Sequence, residues 1–435
     1  MINMKKKNTT ILKGSICYSE TPEKLITVEN GYLVCDGMHV VGVYEKLPEQ
    51  YNDIPVNEYE DCIIIPGLCD LHTHAPQFSF RALGSELELL DWLNTYTFPE
   101  ESKYSDLDYA RKAYDVFVDA VKQSATTRAC IFATLHSPAT VTLMEKMEHS
   151  GIVSYVGKVG MDRNSPDILR QESAQAAYIS TRQWIINTKD RLQNTKPIIT
   201  PRFIPTCSDD LMYKLKELQE EFSLPVQSHL SENKEEISWV GELRPQCQTY
   251  SHAYEHFGLF GGENTPTVMA HCVWCDDEEI ELMKKNQVFV AHCPQSNFNL
   301  ASGIAPIRKF MKHGVNVGLG SDIAGGSHLS IFRAMSDTIQ ASKLYWRLVD
   351  QEHKALTLNE AFYLGTEGGG RFFGKVGSFK KGYEFDAVII DDRSIPTTNP
   401  LTVKERLARI IFCSDDSNIR AKYVRGEKVL NNYGS

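Results

Sequence analysis

Through most of this chain, short apolar runs rich in Val, Ile and Ala alternate with longer polar stretches of helical period. Eight such runs cover residues 63–75, 128–136, 154–161, 197–207, 225–232, 267–275, 288–294 and 315–322. A continuous apolar run fits a strand buried on both faces, and the stretches between are long enough for a helix, which is the pattern of repeated βαβ units. One helix reads residue by residue. Ser105 with Asp108 forms a capping signal, and Leu107, Ala110, Tyr114, Phe117 and Val121 then recur along one face. Eight strand–helix units predict a (β/α)8 barrel in the α/β class.

The ends of the chain follow another period. Residues 10–65 and about 376–430 alternate apolar and polar positions in short strands broken by Gly, Asn and Asp, as in Thr27-Val28-Glu29-Asn30-Gly31-Tyr32-Leu33-Val34. The C-terminal piece Gly382-Tyr383-Glu384-Phe385-Asp386-Ala387-Val388-Ile389-Ile390 is too short to fold alone. The expectation is therefore a small discontinuous β-sandwich built from residues 1–65 and 376–435, beside a barrel spanning 66–375. No internal repeat, low-complexity tract or membrane-length apolar segment is present.

Composition narrows the partners. With 46 Lys and Arg against 56 Asp and Glu, the formal net charge is −10, which disfavours a broad phosphate-binding surface, so neither nucleic acid nor a membrane is expected as a partner. Lys5-Lys6-Lys7 would suit the start of a signal peptide, but Asn8, Thr9 and Thr10 follow without an apolar core segment, and a cytoplasmic location is expected. The 11 cysteines lack framework spacing, and Cys69, Cys130, Cys272 and Cys293 lie in strand-like runs, as reduced thiols do. Cys272 and Cys275 form a lone pair without the second pair a zinc site would need.

In a barrel, functional side chains collect at the C-terminal ends of the strands. His72 and His74 end the first run, and residues i and i+2 of a strand point to the same side, so both imidazoles can grip one cation. The fifth run ends in Ser228-His229-Leu230-Ser231-Glu232, the sixth in Ala270-His271-Cys272, and the eighth in Leu319-Gly320-Ser321-Asp322. His229 alone could be a core histidine and Asp322 alone a helix cap. Together, His72, His74, His229 and Asp322 are a ligand set suited to zinc or ferrous iron, with room left for water.

The combination Pro66-Gly67-Leu68-Cys69-Asp70-Leu71-His72-Thr73-His74, Ser228-His229, His271 and Gly320-Ser321-Asp322 resembles the amidohydrolase superfamily, and within it the guanine deaminases. That narrower likeness is carried by His74-Ala75-Pro76-Gln77-Phe78-Ser79-Phe80, Trp92 to Pro99, Thr200-Pro201-Arg202-Phe203, Gln227 to Asn233 and Ala291-His292-Cys293-Pro294-Gln295-Ser296-Asn297. The resemblance implies hydrolytic deamination of guanine to xanthine and ammonia, with a metal-activated water attacking C2. It also implies one divalent metal, zinc first and iron second, because the fourth strand ends in Pro201-Arg202-Phe203 and lacks the bridging lysine of binuclear relatives.

By the same likeness, Glu232 shuttles protons, and His271 and Asp322 take the proton of the water. Gln77 and Arg202 contact the purine edge, with Trp92, Phe203, His229 and Glu232 around the ring. A guanidinium offers only donors, so the amino group of adenine would meet donor with donor. Another ring deaminase of the superfamily, acting on 8-oxoguanine, cytosine, S-adenosylhomocysteine or a chlorotriazine, is the alternative, followed by a non-catalytic barrel scaffold. A homodimer is expected by family analogy. Gln295 stands where the family pattern has Asn, and Gly160 and Arg163 depart at the third strand, which leaves fine substrate preference open. His292 is left off the metal, and His136, His252, His256, His313 and His328 have no ligand spacing. The Gly-rich stretch 369–376 lacks the Ser or Thr of a phosphate loop and reads as a tightly packed helix end.

Overall fold

The computed structural model describes residues 8–262 and 265–432; the basic run before residue 8 lies outside them. Eight parallel strands form the barrel: Leu68–His74, Thr126–Phe132, Val153–Gly157 with its continuation Val159–Gly160, Thr195–Pro197 with Thr200–Pro201, Val226–Leu230, Thr267–His271, Phe289–His292 and Asn316–Leu319. Each pairs with the next, the fourth joining the fifth at Ile199 and Val226. The circle closes between eighth and first, where Asp322 N donates to His72 O at 2.8 Å and His74 N to Ile323 O at 3.1 Å. Helices follow every strand, from Leu107–Gln123 after the first to Ile331–Leu348 after the eighth.

The first of these helices buries Ala110, Tyr114, Phe117 and Val121, but its cap is Asp106, not Ser105: the Asp106 carboxylate accepts from Asp108 N and Tyr109 N. The apolar run 63–75 is two strands. Val56–Pro66 belongs to a terminal sheet and Leu68–His74 to the barrel. The hinge is Gly67, where a Cβ would stand 2.1 Å from Thr127 Oγ1.

That terminal sheet has seven strands in the order Glu427–Asn431, Ile419–Val424, Ala387–Ile390, Val56–Pro66, Thr9–Ser19, Leu25–Asp36 and His39–Tyr44, so both chain ends interleave. Alternation sorts its two faces. Ile64, Ala387 and Ile389 face a small core of their own with Phe379 and Phe385, while Ile63, Ile65, Val388 and Ile390 join the barrel core. Asn30-Gly31 does not break its strand; the ladder shifts register opposite Gly14 and Ile16 and continues. No helix among the described residues is long and apolar enough to cross a membrane.

Candidate metal centre and cavity

The metal-type side chains stand where strands end. His72 and His74 share one side of the first strand, and their Nε2 atoms lie 3.2 Å apart; His229 Nε2 lies 3.1 Å from that of His74. Asp322 Oδ1 is 3.1 Å from His72 Nε2 and 3.5 Å from His74 Nε2. Two ligands held at about 2.1 Å from one tetrahedral ion are about 3.4 Å apart, so His72, His74 and Asp322 have the mutual spacing one small divalent ion requires, with His229 at the same spacing from His74. Burial first, then the neighbouring His72, keeps His74 and His229 well below the usual imidazole range. Neutral rings are what ligation needs. His229 Nδ1 donates to Arg202 O at 2.6 Å, which turns its Nε2 lone pair toward the other donors.

Backbone geometry sustains the cluster. Gly320 is required by close approach, since a Cβ there would meet Cys293 Sγ at 2.8 Å and His72 Cβ at 3.0 Å. Asp322, His271 and Ser231 all hold positive φ, a region L-residues avoid unless their surroundings fix them. Asp70, buried, accepts from Ser321 N and Oγ and from His72 N, tying the eighth strand end to the first. Phe132 covers the rings of His72, His74 and His229 at centroid distances of 5.0, 4.7 and 4.8 Å.

His271 stands beside the four, near enough that its ring also groups with His72 and His229, and with Cys293 and Asp322, as potential ligands. Its Nε2 is 3.6 Å from Asp322 Oδ2 and 3.4 Å from Glu232 Oε2, and its Nδ1 is bound to Asn297 Oδ1 at 3.0 Å. Burial, then the Asp322 carboxylate, pushes Glu232 well above the ordinary carboxylate range. Its second oxygen accepts from Ser302 Oγ at 3.4 Å.

A cavity opens above this cluster, lined by His74, Gln77, Trp92, Arg202, Phe203, His229, Glu232, His271 and Asp322, with Leu89, Leu93 and Leu300 as apolar wall. His72 lies beneath it. Every site residue singled out from the sequence is therefore gathered at one place. Trp92 is fixed by its Nε1–H donating to Leu83 O at 3.1 Å. Gln295 and Arg163 do not line the cavity: Gln295 Oε1 accepts from Ser327 N and His328 N, and Arg163 donates to the carbonyls of Pro205 and Ile204. His292 is buried and pushed down to about 3 by burial and by His271, and it stays off the cluster. Cys272 and Cys275 are buried thiols.

Three buried residues were missed from the sequence. Glu101 accepts from Gln77 Nε2 at 2.8 Å and Arg202 Nη1 at 2.7 Å. Glu236 lines the cavity and accepts from Glu232 N and Tyr250 Oη, each at 2.9 Å. Asn297 holds His271. Glu236 carried a signal, as the Asn233-x-x-Glu236 capping box places it under Glu232. Asn297 closed a segment already singled out, and Glu101 lay two residues beyond Pro99, where another segment was cut.

Comparison with known proteins agrees on one family. A model of the Amidohydrolase family matches residues 63–429. The guanine deaminase of Dictyostelium discoideum is 38% identical, over 96% of this chain and 98% of its own, and that of Escherichia coli 32% identical, over 94% of each. Among solved structures, a guanine deaminase from C. acetobutylicum with guanine bound in its active site superposes with a TM-score of 0.94 at 44% identity, covering 97% of this chain and all of that one.

Proposed function

The chain belongs to the amidohydrolase family, and within it we propose that the protein hydrolyses guanine to xanthine and ammonia. His72, His74, His229 and Asp322 would hold one divalent cation, zinc in preference to iron. The observation that carries the reading is the pairing, across one cavity, of that donor cluster with a buried donor edge made by Arg202 and Gln77. Relatives 38% and 32% identical over nearly their full lengths, both guanine deaminases, support the same choice.

Bound there, the cation supplies a water acidified from a pKa of 15.7 to about 7. The protein does the rest by position. His271 and Asp322, 3.6 Å apart, are placed to take a proton from such a water. Glu232, which burial disposes to carry a proton, would give it to ring nitrogen N3 as C2 becomes tetrahedral, take the proton of the new C2 hydroxyl and deliver it to the departing amino group, and be recharged with the proton taken from the water through His271, 3.4 Å away. Arg202 donates to the C6 carbonyl, a charge-assisted bond of about 1.5–3 kcal/mol. The walls of Leu89, Trp92, Leu93 and Phe203 fit a flat ring and exclude bulk water.

Ammonia release measured across guanine, 8-oxoguanine, cytosine, S-adenosylhomocysteine, adenine and a chlorotriazine tests the reading. Guanine should give the highest kcat/KM, with xanthine as product and adenine poor. A better rate on any other ring would overturn the substrate. Cytoplasmic residence and a homodimer belong to the same proposal through the family analogy.

A further inference from the structure

Behind the cavity, outside its lining, a buried carboxylate holds the two polar side chains that face the base. Glu101, on the short helix Phe98–Ser102, takes Arg202 Nη1 on one oxygen and Gln77 Nε2 on the other. All three residues are only 2–3% exposed. Gln77 Oε1 in turn accepts from Ala324 N at 3.1 Å. The Gln77 amide is thus fixed at both ends, with one N–H and one lone pair left for a ligand. The guanidinium of Arg202 is permanently charged, and its contact with Glu101 makes the pair neutral.

We propose that Glu101 is a specificity-determining and positioning residue, which neutralises Arg202 so that the cavity takes a neutral oxopurine and disfavours its anion. This rests on the guanine reading and deepens it. Hydrolysis exchanges an amino group for a carbonyl and makes the ring more acidic, so xanthine ionises more readily than guanine. An uncompensated guanidinium in a slot screened from water would hold ionised product more tightly than neutral substrate, because a charge attracts an anion more strongly than a dipole. Among the described residues no other carboxylate forms a hydrogen bond or ion pair with the Arg202 guanidinium. Tyr104 and Tyr114 lie behind Glu101, both pushed up by burial; Glu100 binds Lys103 and Tyr109. His74, His229, His271, Glu232, Glu236 and Asp322 line the cavity beside Arg202.

The test is calorimetric binding to the metal-loaded full chain, at one neutral pH, of hypoxanthine, which is neutral, and urate, which is a monoanion; neither has an amino group to lose. Wild type should prefer hypoxanthine by about tenfold or more. Glu101→Gln should raise the urate-to-hypoxanthine affinity ratio by about tenfold, while Glu101→Asp, which keeps the charge, should hold it within about twofold. A ratio unchanged in Glu101→Gln, or a wild type that binds urate as tightly as hypoxanthine, overturns the inference and leaves the guanine reading standing. A wild type that binds neither base, nor guanine, removes both.

Discussion

Lys158 sits between Val153–Gly157 and Val159–Gly160 of the third barrel strand with 2% of its surface exposed, and its Nζ reaches Thr181 Oγ1 at 3.3 Å. Burial alone pushes its ammonium down from the ordinary 10.5 to about 7. The sign follows from proton counting. Between about pH 7 and 10.5 the unfolded chain keeps the proton that the folded chain has lost, so the group's contribution to stability rises with pH across that window and its full penalty applies below it. At 1.36 kcal/mol per pH unit the gap is worth at most about 5 kcal/mol, and losing the Thr181 bond offsets about 1 kcal/mol. With local relaxation allowed for, Lys158→Met, nearly the same volume without the charge, should stabilise the protein by about 2–4 kcal/mol at pH 7. For a chain of this length that is a rise in Tm of about 2–4 °C. Melting of variant and wild type in parallel from pH 7 to pH 10 should show the advantage shrinking toward zero. A variant less stable at pH 7, or an offset independent of pH, would refute a buried, uncompensated lysine.

Glu232→Gln should lower kcat on guanine by about 10²–10⁴-fold while the metal content stays that of wild type, because the residue moves protons and holds no ion; metal analysis beside steady-state rates checks both halves. Arg128 joins the second barrel strand to the terminal sheet, donating to buried Asp386 at 2.5 and 2.8 Å and to half-buried Glu384 at 3.0 Å. Arg128→Met should destabilise by about 3–5 kcal/mol by leaving the buried Asp386 without its charge partner, with only the bond from Arg425 N, and Asp386→Asn in the same chain should recover part of it in denaturant titration.

The strands that carry the chemistry were legible because a strand buried on both faces leaves an unbroken apolar run, and because His72, His74, His229, His271 and Asp322 punctuate the ends of such runs. Periodicity was blind where packing decides. The run 63–75 reads as one strand, and only the crowding at Gly67 against Thr127 shows that the chain changes sheets there. Asn30-Gly31 reads as a break, yet neighbouring strands carry the ladder past it. Residues 75–106, which supply Gln77, Trp92 and Glu101, hold a short 3-10 piece, Ala75–Phe80, and then a helical run from Leu89 to Ser105 that changes between α, π and 3-10 winding, so no single period registers. Glu101 carries no local signal of its own, because its partners, Gln77 and Arg202, come from other parts of the chain.

The most direct test counts metal and product together. Wild type, His229→Ala and Asp322→Asn, each stripped by chelation and reloaded with zinc, should be assayed for bound metal per chain and for xanthine formed from guanine. Wild type should bind about one ion per chain, with xanthine formation lost on stripping and restored in proportion to metal regained, while both variants lose metal and activity together. Full activity in the stripped protein, or variants that keep a tightly bound ion, would contradict the account.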